Sequence, residues 1–597
     1  MFFLKHWDYS DQDLVLMYLR MLCATNYSLT LNEDAKIVFN SKSISDKVIV
    51  VSGGGSGHEP THAGFVGEGL LDVAVVGNIF ASPSAKQILN GIKSIKSDEG
   101  YLLIVKNYTG DILNFGLAAE RAKALGMDVE LVIVADDVAV GRTKNGLVGR
   151  RGLAGTALIH KISGAKAAMG ASLSEVAYIS QKVVDNMVTI AASLEHCSVP
   201  GRVEDELELL KPNEIEIGMG IHNEPGVKKH SSIPSIGSLV EELLEYLLSK
   251  NDKERSYVPF ESNDQVILLV NNLGGTSVLE LNAIGSVVLQ KLKEDYSIDP
   301  IRVYIGGFTT SLNGQGFSIT LLNATRSGGD EIIELLDKPT DAIGWISNIS
   351  SQTEKINNDL VKDDFKEVDG DDSNIKSTVM LDSSIFESVL RGGLKEVLSK
   401  ELQITRYDTI AGDGDCGETL AAGANAILKA LNEKRINLSD MVNALNSIAI
   451  ILEDNMGGTS GGIYSIFISA LAQSYIRKNR KEGAFEVNRI NLAKSLKDAL
   501  TSLFRYTQAR TGDRTLIDSL EPFIREIGNT FDFTKAKMAA MDGAENTRKL
   551  TAKFGRASYV SETEFKEFQN EGGLPDPGAV GLAALVEGLV TSFEKYQ

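Results

Sequence analysis

The sequence contains little cysteine and little tryptophan. Its 597 residues include three cysteines and two tryptophans. The cysteines, Cys23, Cys197 and Cys416, lie far apart and form no CxxC pair. This distribution argues against a disulfide framework and against a zinc or redox motif, and it favours a reducing compartment.

Long hydrophobic runs are also missing. No apolar stretch reaches the roughly 18 residues that a membrane span needs. The first residues, MFFLKHWDYS, contain too short an apolar run for a signal peptide, and the last residues, EKYQ, match no peroxisomal or reticular retention signal. We therefore expect a cytoplasmic protein.

Positive charge is in deficit. The chain has 60 lysines and arginines against 80 aspartates and glutamates, which gives a net charge of -20 and a pI of about 5.0. The sequence contains no cluster of lysines and arginines that would form a basic surface. A protein with this net negative charge repels nucleic acid and anionic membranes. We therefore expect neither of these as a partner.

The remaining composition is typical of a globular protein, with 43% hydrophobic and 23% charged residues. A chain of this length exceeds what one hydrophobic core usually supports, so we expect two or three domains. From about residue 46 to 345, short apolar runs alternate with segments of helical period, which is typical of an α/β domain. The predicted strands are 48–51, 101–105, 129–134, 214–217, 266–270 and 317–322.

Several of these strands are apolar at every position, which predicts a layered fold with helices, such as one through 239–248, on both faces of the sheets. Residues 350–378 are polar and lack apolar periodicity, so we interpret them as a linker between a first domain, 1–349, and a second, 379–597. The period beyond the linker is helical, and the apolar positions from Leu582 to Phe593 lie on one helix face. The second domain is therefore predicted to be all-α.

A glycine-rich segment, SGGGSGHEP at 52–60, follows the first strand of the α/β domain. Glycines let the backbone approach a small polar ligand, and successive amides can form an anion- or oxygen-binding concavity. The segment is no Walker A loop, because no Gly-Lys-Ser/Thr follows, and His58 stands where a dinucleotide motif needs glycine. The alternative is a tight strand-to-helix turn in which His58 caps the next helix.

Two further strands run into polar segments. Strand 101–105 leads to Lys106 and Asp111, and strand 214–217 leads to GMGIHNEPG, which places His222 among glycines and beside Glu224. Ligands bind at the carboxyl ends of strands in open α/β sheets, so these segments predict a ligand site. The alternative for His222 is an ordinary surface or core histidine.

The second domain contains DTIAGDGDCGET at 408–419, in which Asp408, Asp413 and Asp415 fall within eight residues. Carboxylates at this density suit Mg²⁺, and Ala424 in place of glutamate excludes an EF-hand. The alternative is a turn that caps the following helix.

The segment MGGTSGG at 456–462 precedes a helix that is predicted to begin near Ile463. Backbone amides at this helix start would form a generic phosphate site. The alternative is that the segment is only a helix start.

These motifs together resemble the dihydroxyacetone (glycerone) kinases, in the single-chain form of fungi, animals and some bacteria. The resemblance runs from about residue 20 to 590. It implies that the imidazole of His222 adds to the substrate ketone as a hemiaminal, while His58 and Asp111 handle the proton of the hydroxyl that is phosphorylated. Glycerol has no carbonyl and would escape this trap. Substrate oxygens would be held by Gly54, Gly55, Ser56, Gly57, Lys106 and Asp111.

For the second domain the resemblance implies a helical barrel that binds ATP and two Mg²⁺ ions. Asp408, Asp413 and Asp415 would hold the metal. The nucleotide would contact Cys416, Gly417, Thr419, Thr459, Ser460, Gly512, Asp513, Arg556, Asp576, Pro577 and Gly578. Two departures from the family pattern are Tyr27, where proline is expected, and the first dozen residues, which diverge. Glu418 adds negative charge beside the metal loop.

The resemblance thus implies a homodimeric, ATP-dependent kinase that phosphorylates dihydroxyacetone and also glyceraldehyde. The nucleotide and substrate domains would have to close to exclude water from the transfer. Two alternatives stay open. The nucleotide site could split FAD into a cyclic flavin phosphate, or the chain could be a non-catalytic regulator that binds dihydroxyacetone, although a pure sensor has no need of metal-binding aspartates.

Overall fold

The computed structural model describes residues 6–9, 12–143, 149–201, 209–346, 377–552 and 572–596. The chain divides into two compact units, Met1–Asn357 and Asn358–Gln597. The predicted linker at 350–378 lies outside the described residues except for its last two positions. Within the described ranges, no helix combines the length and the apolar character needed to cross a membrane.

The first unit begins with helix α1 and a six-stranded mixed sheet. The strands are β1 (Leu29–Asn32), β2 (Ile37–Asn40), β3 (Ile49–Ser56), β4 (Val73–Ile79), β5 (Tyr101–Lys106) and β6 (Val129–Val134), in the spatial order β1-β2-β4-β3-β5-β6. Strands β3 to β6 are parallel, whereas β1 and β2 add an antiparallel edge. The helices are α1 (Leu14–Thr25), α2 (Ala85–Ile92), α3 (Thr109–Ala124), α4 (Thr156–Ala168) and α5 (Leu173–Asp185).

A second mixed sheet completes this unit. Its strands are β7 (Met187–Ser193), β8 (Ile215–Ile217), β9 (Lys228–His230), β10 (Val266–Asn272), β11 (Arg302–Gly306) and β12 (Gly316–Asn323), in the order β11-β10-β12-β7-β8-β9. Only the pair β10 and β11 is parallel among these neighbours. The remaining helices are α6 (Ile236–Leu248), α7 (Val278–Tyr296), α8 (Ala324–Ser327) and α9 (Asp330–Asp337).

The apolar strands are covered on both faces. On β5, Leu102 and Ile104 belong to a core that also contains residues of α4 and of β10, whereas Leu103 and Val105 pack against α2 and α3. The far face of β10 packs against α6 and α7. Helix α4 is almost wholly buried as the layer between the sheets. The predicted layered α/β fold with mixed sheets is confirmed.

Strand β3 runs five residues beyond the predicted end at 51, so the first glycines belong to the strand and not to a loop. Gly53 pairs with Val75 of the neighbouring strand β4. A Cβ atom built on Gly53 would lie 2.2 Å from the Val75 carbonyl oxygen. Glycine is therefore required there so that two backbones can approach, and the irregular register between Gly54 and Ser56 turns the end of the strand.

Replacing Gly53 by alanine is expected to destabilise the first unit by about 1 to 3 kcal/mol, because the added methyl group overlaps a backbone atom that cannot rotate away. Thermal unfolding monitored by circular dichroism measures this loss. Gly116 on α3 provides the control, since a Cβ atom there meets nothing within 4 Å. An equal melting temperature for both variants would contradict the packing argument.

The second unit is a ring of helices. They are α10 (Ser383–Ala411), α11 (Cys416–Asn432), α12 (Met441–Asn455), α13 (Gly458–Glu482), α14 (Arg489–Leu503), α15 (Ile517–Thr530), α16 (Phe533–Asn546) and α17 (Pro577–Phe593). Each helix packs against the next, and α17 packs against α10, which closes the ring around apolar side chains. Two short strands, β13 (Val379–Met380) and β14 (Phe485–Glu486), form a parallel pair beside it. The predicted helical domain is confirmed.

Candidate active site

The candidate site of the first unit lies where β3 ends. His58 is fully buried, and its Nδ1 lies 2.8 Å from the carbonyl oxygen of Thr310. Its Nε2 lies 3.0 Å from Nε2 of His222. No helix begins directly after His58, because the next helical element is a 3-10 turn at Ala63–Phe65. The alternative in which His58 caps a following helix is therefore wrong.

His222 is held from its other side by Glu224. The Glu224 carboxylate lies 2.9 Å from Nδ1 of His222 and accepts a hydrogen bond from the His222 backbone amide at 2.9 Å. Burial alone would raise the pKa of Glu224, but the hydrogen bonds and charge of His222 lower it to about 2. The ring of His222 also meets the edges of two aromatic rings, those of Phe80 and Tyr108, at 5.0 and 4.8 Å.

These contacts assign the protons of the histidine pair. A carbonyl oxygen only accepts, so Nδ1 of His58 carries a proton, and burial holds the pKa of His58 well below its usual value. Nε2 of neutral His58 is then an acceptor, and Nε2 of His222 donates to it. Since Nδ1 of His222 donates to Glu224, the His222 ring holds two protons in this arrangement, with the carboxylate as its counter-charge.

Lys106 and Asp111 lie at the end of β5 and in the first turn of α3. Both side chains are buried, and burial lowers the pKa of Lys106 to about 8 while it raises the pKa of Asp111. The charges of the two groups oppose these shifts. The Asp111 carboxylate faces Gly54, since its Oδ2 lies 3.4 Å from the position of a Cβ atom on that glycine.

The glycine segment contributes backbone rather than side chains. Gly57 has a φ of 98°, which favours glycine, and its amide donates to Glu59. The Ser56 hydroxyl donates to the Gly77 carbonyl at 2.7 Å, so it supports β4. A Cβ atom on Gly55 would lie 2.7 Å from the Ala81 amide nitrogen. The structure thus brings together the predicted residues of this unit at the ends of β3 and β5 and beside His222.

In the second unit, the three predicted metal ligands converge. Asp408 lies in the last turn of α10, and Asp413 and Asp415 lie in the turn before α11. One carboxylate oxygen from each lies within 4.8 Å of the others. Asp408 accepts the Cys416 amide at 2.9 Å, whereas Asp415, at the N-cap position, makes no side-chain cap hydrogen bond. Helix capping alone therefore does not account for the cluster, which fits a hard cation such as Mg²⁺.

The predicted nucleotide residues surround this cluster in part. Helix α13 begins at Gly458, five residues before the predicted start, so Thr459 and Ser460 lie in its first turn. Residues Cys416, Gly417 and Thr419 lie in the first turn of α11. The predicted start of α13 was therefore wrong. The first turn of a helix has backbone amides without partners in the helix, and a glycine-rich segment can form that turn. A hydrogen bond joins Ser460 to Cys416, whose pKa burial raises to about 12.

Asp576 caps α17, with Pro577 and Gly578 in its first turn. Its carboxylate accepts the Ala579 amide at 2.8 Å, and burial raises the pKa of Asp576 to about 7, with the charge of Asp408 adding to the increase. The segment with Gly512 and Asp513 lies close by, since Arg514 donates to the Leu574 carbonyl. The predicted residue Arg556 lies outside the described residues.

Sequence reasoning missed several side chains of both sites. In the first unit these are Phe80 and Tyr108, which pack on His222, and Glu59, which accepts the Gly57 amide. In the second unit, Asp518 accepts the amide of Gly512 at 2.6 Å and fixes that turn. Tyr108 follows a predicted strand end and Glu59 lies within the segment 52–60, so both carried a positional signal, whereas Phe80 is separated in sequence from His222.

Comparisons with known proteins place the chain in one family. Residues 20–344 match the Dak1 domain, and residues 410–591 match the DAK2 domain. A dihydroxyacetone kinase of Komagataella pastoris is 57% identical over 605 residues, which cover 99% of each chain. This chain belongs to the dihydroxyacetone kinase family. The predicted membership of its fungal-type, single-chain form is thereby confirmed.

Other members of the dihydroxyacetone kinase family are similar to this chain over nearly its full length. Dihydroxyacetone kinase 2 of Saccharomyces cerevisiae is 50% identical over 591 residues, which cover 98% of each chain. The crystal structure of the dihydroxyacetone kinase from C. freundii in complex with AMP-PNP and Mg²⁺ matches with a TM-score of 0.63 at 28% identity, and covers 98% of this chain and 99% of that one.

Proposed function

We propose that this protein transfers the γ-phosphate of ATP to a terminal hydroxyl of dihydroxyacetone, with the ketone held as a hemiaminal on His222. The observation that carries the proposal is the contact chain Glu224–His222–His58 at the end of β3, next to the buried pair Lys106 and Asp111. Kinases of hydroxyl groups need positioning more than covalent chemistry on phosphate. A covalently held ketone provides that positioning.

The hydrogen-bond pattern accounts for adduct formation with its charges balanced. Nε2 of His222 gives up its proton by way of His58 and forms the bond to the carbonyl carbon, while the carbonyl oxygen takes a proton and becomes a hydroxyl. The ring keeps its Nδ1 proton, so the positive charge stays beside the Glu224 carboxylate. Phe80 and Tyr108 restrict the ring to this orientation.

Asp111 and Lys106 act on the substrate oxygens in this proposal. A carboxylate whose pKa is raised by burial accepts a hydroxyl proton more readily than an exposed one. The Lys106 ammonium supplies positive charge beside the substrate oxygens. Backbone groups of Gly54 to Gly57 hold these oxygens as well, apart from the Gly57 amide, which donates to Glu59. His58 takes part in adduct formation through its contact with His222, and it shares the transfer of the hydroxyl proton with Asp111 in this proposal.

Asp408, Asp413 and Asp415 would hold Mg²⁺, which when bound neutralises charge on the phosphates of ATP. The first turns of α11 and α13 present backbone amides beside these aspartates, and amides at helix starts bind phosphate. Asp576, the cap of α17, helps to close the nucleotide pocket in this proposal, and the charge of Asp408 contributes to its raised pKa.

Replacing Glu224 by glutamine is expected to reduce adduct formation by about 10- to 100-fold, because the His222 ring loses the charge that balances its own. Mass spectrometry of the protein incubated with dihydroxyacetone measures the adduct. Glu242 provides a matched control, since it holds His230 in a similar pair at 2.8 Å. Equal adduct levels in the Glu224→Gln and Glu242→Gln proteins would contradict the role of Glu224.

Coupled ATP consumption with dihydroxyacetone, glyceraldehyde and glycerol tests the proposed function, and chromatography of the flavin products formed from FAD, which needs no ATP to be split, is run in parallel. We expect turnover with dihydroxyacetone and with glyceraldehyde, and little with glycerol. Consumption of FAD to a cyclic phosphate without triose turnover would favour the cyclase alternative, and no turnover with adduct formation would favour the regulator. We also propose a cytoplasmic homodimer, which rests on the family resemblance and which light scattering and cell fractionation test.

A further inference from the structure

A second pair of histidines, His62 and His160, lies on either side of Ser52, and no sequence motif contains both of them. Ser52 of β3 lies between two imidazoles, with its Oγ 3.0 Å from Nδ1 of His62 and 3.1 Å from Nε2 of His160 on α4. All three side chains are buried. The Ser52 hydroxyl also lies 2.7 Å from the carbonyl oxygen of Ile104. The proposed function uses none of these groups.

The Ser52 hydroxyl fixes the tautomer of both rings. It has one proton, and the Ile104 carbonyl, which only accepts, takes it. Both neighbouring imidazole nitrogens must then donate to Oγ. Burial holds the pKa of His62 well below its usual value, so the ring is neutral. Its Nε2 is therefore a hydrogen-bond acceptor.

Nε2 of His62 and the carboxylate of Asp111 both face Gly54. Nε2 of His62 lies 3.3 Å from the position of a Cβ atom on Gly54, and Oδ2 of Asp111 lies 3.4 Å from it. Among the described residues, His62 Nε2 and Asp111 Oδ1 have no hydrogen-bond partner, although both side chains are at most 5% exposed. The unpartnered Asp111 atom, Oδ1, is the other oxygen of the carboxylate whose Oδ2 faces Gly54. One imidazole nitrogen and one carboxylate beside Gly54 therefore each need a donor. One hydroxyl group carries a single proton and satisfies only one of them.

We propose that His62 is a specificity-determining residue of the triose site, whose Nε2 accepts a hydrogen bond from one substrate hydroxyl while Asp111 accepts from the other. The inference rests on the proposed function, because it assumes a ketone bound beside Gly54. A ketone with hydroxyls at both ends supplies both donors. Hydroxyacetone, which has one hydroxyl, leaves one acceptor unmatched, and a buried unmatched acceptor costs affinity.

The test is a cycle of two ketones and two proteins, with the adduct measured by mass spectrometry over a range of ketone concentrations. The unaltered protein is expected to prefer dihydroxyacetone over hydroxyacetone by about 10- to 100-fold. In His62→Leu this preference should fall to a few-fold, through weaker dihydroxyacetone binding, while hydroxyacetone binding changes little. His62→Gln, whose amide oxygen can accept in the same direction, should restore part of the preference.

A bound water also carries two donors, and if a water and not the substrate joined His62 to Asp111, His62→Leu would weaken both ketones by the same factor. That result, or an unchanged preference in a folded His62→Leu protein, would overturn the inference. Thermal unfolding identifies a variant that fails to fold, and His62→Gln then provides the comparison. A preference for dihydroxyacetone that is lower than in the unaltered protein is expected there, because the amide restores only part of it. An unchanged preference, or a loss that is equal for both ketones, would contradict the inference. An unaltered protein that forms no adduct with either ketone would instead refute the proposed function.

Discussion

His222→Ala is expected to form no adduct with dihydroxyacetone and to lose at least about 100-fold in turnover, because the alanine side chain has no nitrogen to bond the carbonyl carbon. The mass of the intact protein after incubation with the ketone measures the adduct directly. The remaining pocket still has Lys106, Asp111 and the glycine amides, so weak binding of the free ketone should persist. Turnover is therefore lowered more than binding is.

The same variant should discriminate less between dihydroxyacetone and glycerol. A carbonyl is the one group that His222 can trap, and without the trap the two ligands differ only modestly in size and hydrogen bonding. The measurement is the ratio of kcat/KM for dihydroxyacetone to that for glycerol. We expect this ratio to fall by at least about tenfold, because covalent capture positions dihydroxyacetone and not glycerol.

His230→Ala is the matched control. His230 also contacts a glutamate, with Nε2 2.8 Å from Glu242, and its side chain is as exposed as that of His222, at 23%. It lies at the end of β9, and none of the contacts that hold His222 involves it. A His222→Ala protein that behaved like His230→Ala, with an unchanged adduct, would remove the covalent step from the proposal.

The layered fold was predictable because continuous apolar strands bury both faces. Strand 129–134 is observed with the predicted bounds, and Leu102 to Val105 alternate between two cores as full burial requires. The end of β3 was not predictable from propensity. Glycines normally weaken a strand, and only the close approach of the Val75 carbonyl shows why Gly53 continues it.

The candidate site was predictable where its residues lie at a strand end or soon after one, as Lys106 and His222 do. The group of Ser52, His62 and His160 was missed because it forms by packing of a strand, a turn and a helix, and buried polar groups of this kind leave no periodic signal. Asp408 is an intermediate case. The sequence motif predicted it as a metal ligand, but only the structure shows that it lies in the last turn of α10 and accepts a hydrogen bond from the Cys416 amide.

Asp413→Ala is expected to reduce Mg²⁺-dependent turnover by about a thousandfold or more, because a lost metal ligand removes several kcal/mol of charge stabilisation in the transition state. Asp413 is a better target than Asp408, whose carboxylate also supports the start of α11. Asp415→Asn is a second target, since its side chain makes no cap hydrogen bond. Coupled ATP consumption at a series of Mg²⁺ concentrations measures the effect.

The adduct separates the metal site from the covalent site. Capture of the ketone by His222 needs neither nucleotide nor metal in the proposed mechanism, so Asp413→Ala should form the same adduct as the unaltered protein while its turnover is lost. Asp542→Ala, a change of an exposed carboxylate on α16, should affect neither readout. Retained turnover in Asp413→Ala would remove the metal assignment, and loss of the adduct in that variant would show that the two functions are not independent. Together with His222→Ala, which loses the adduct but keeps the metal ligands, the pair assigns each step to its own residues.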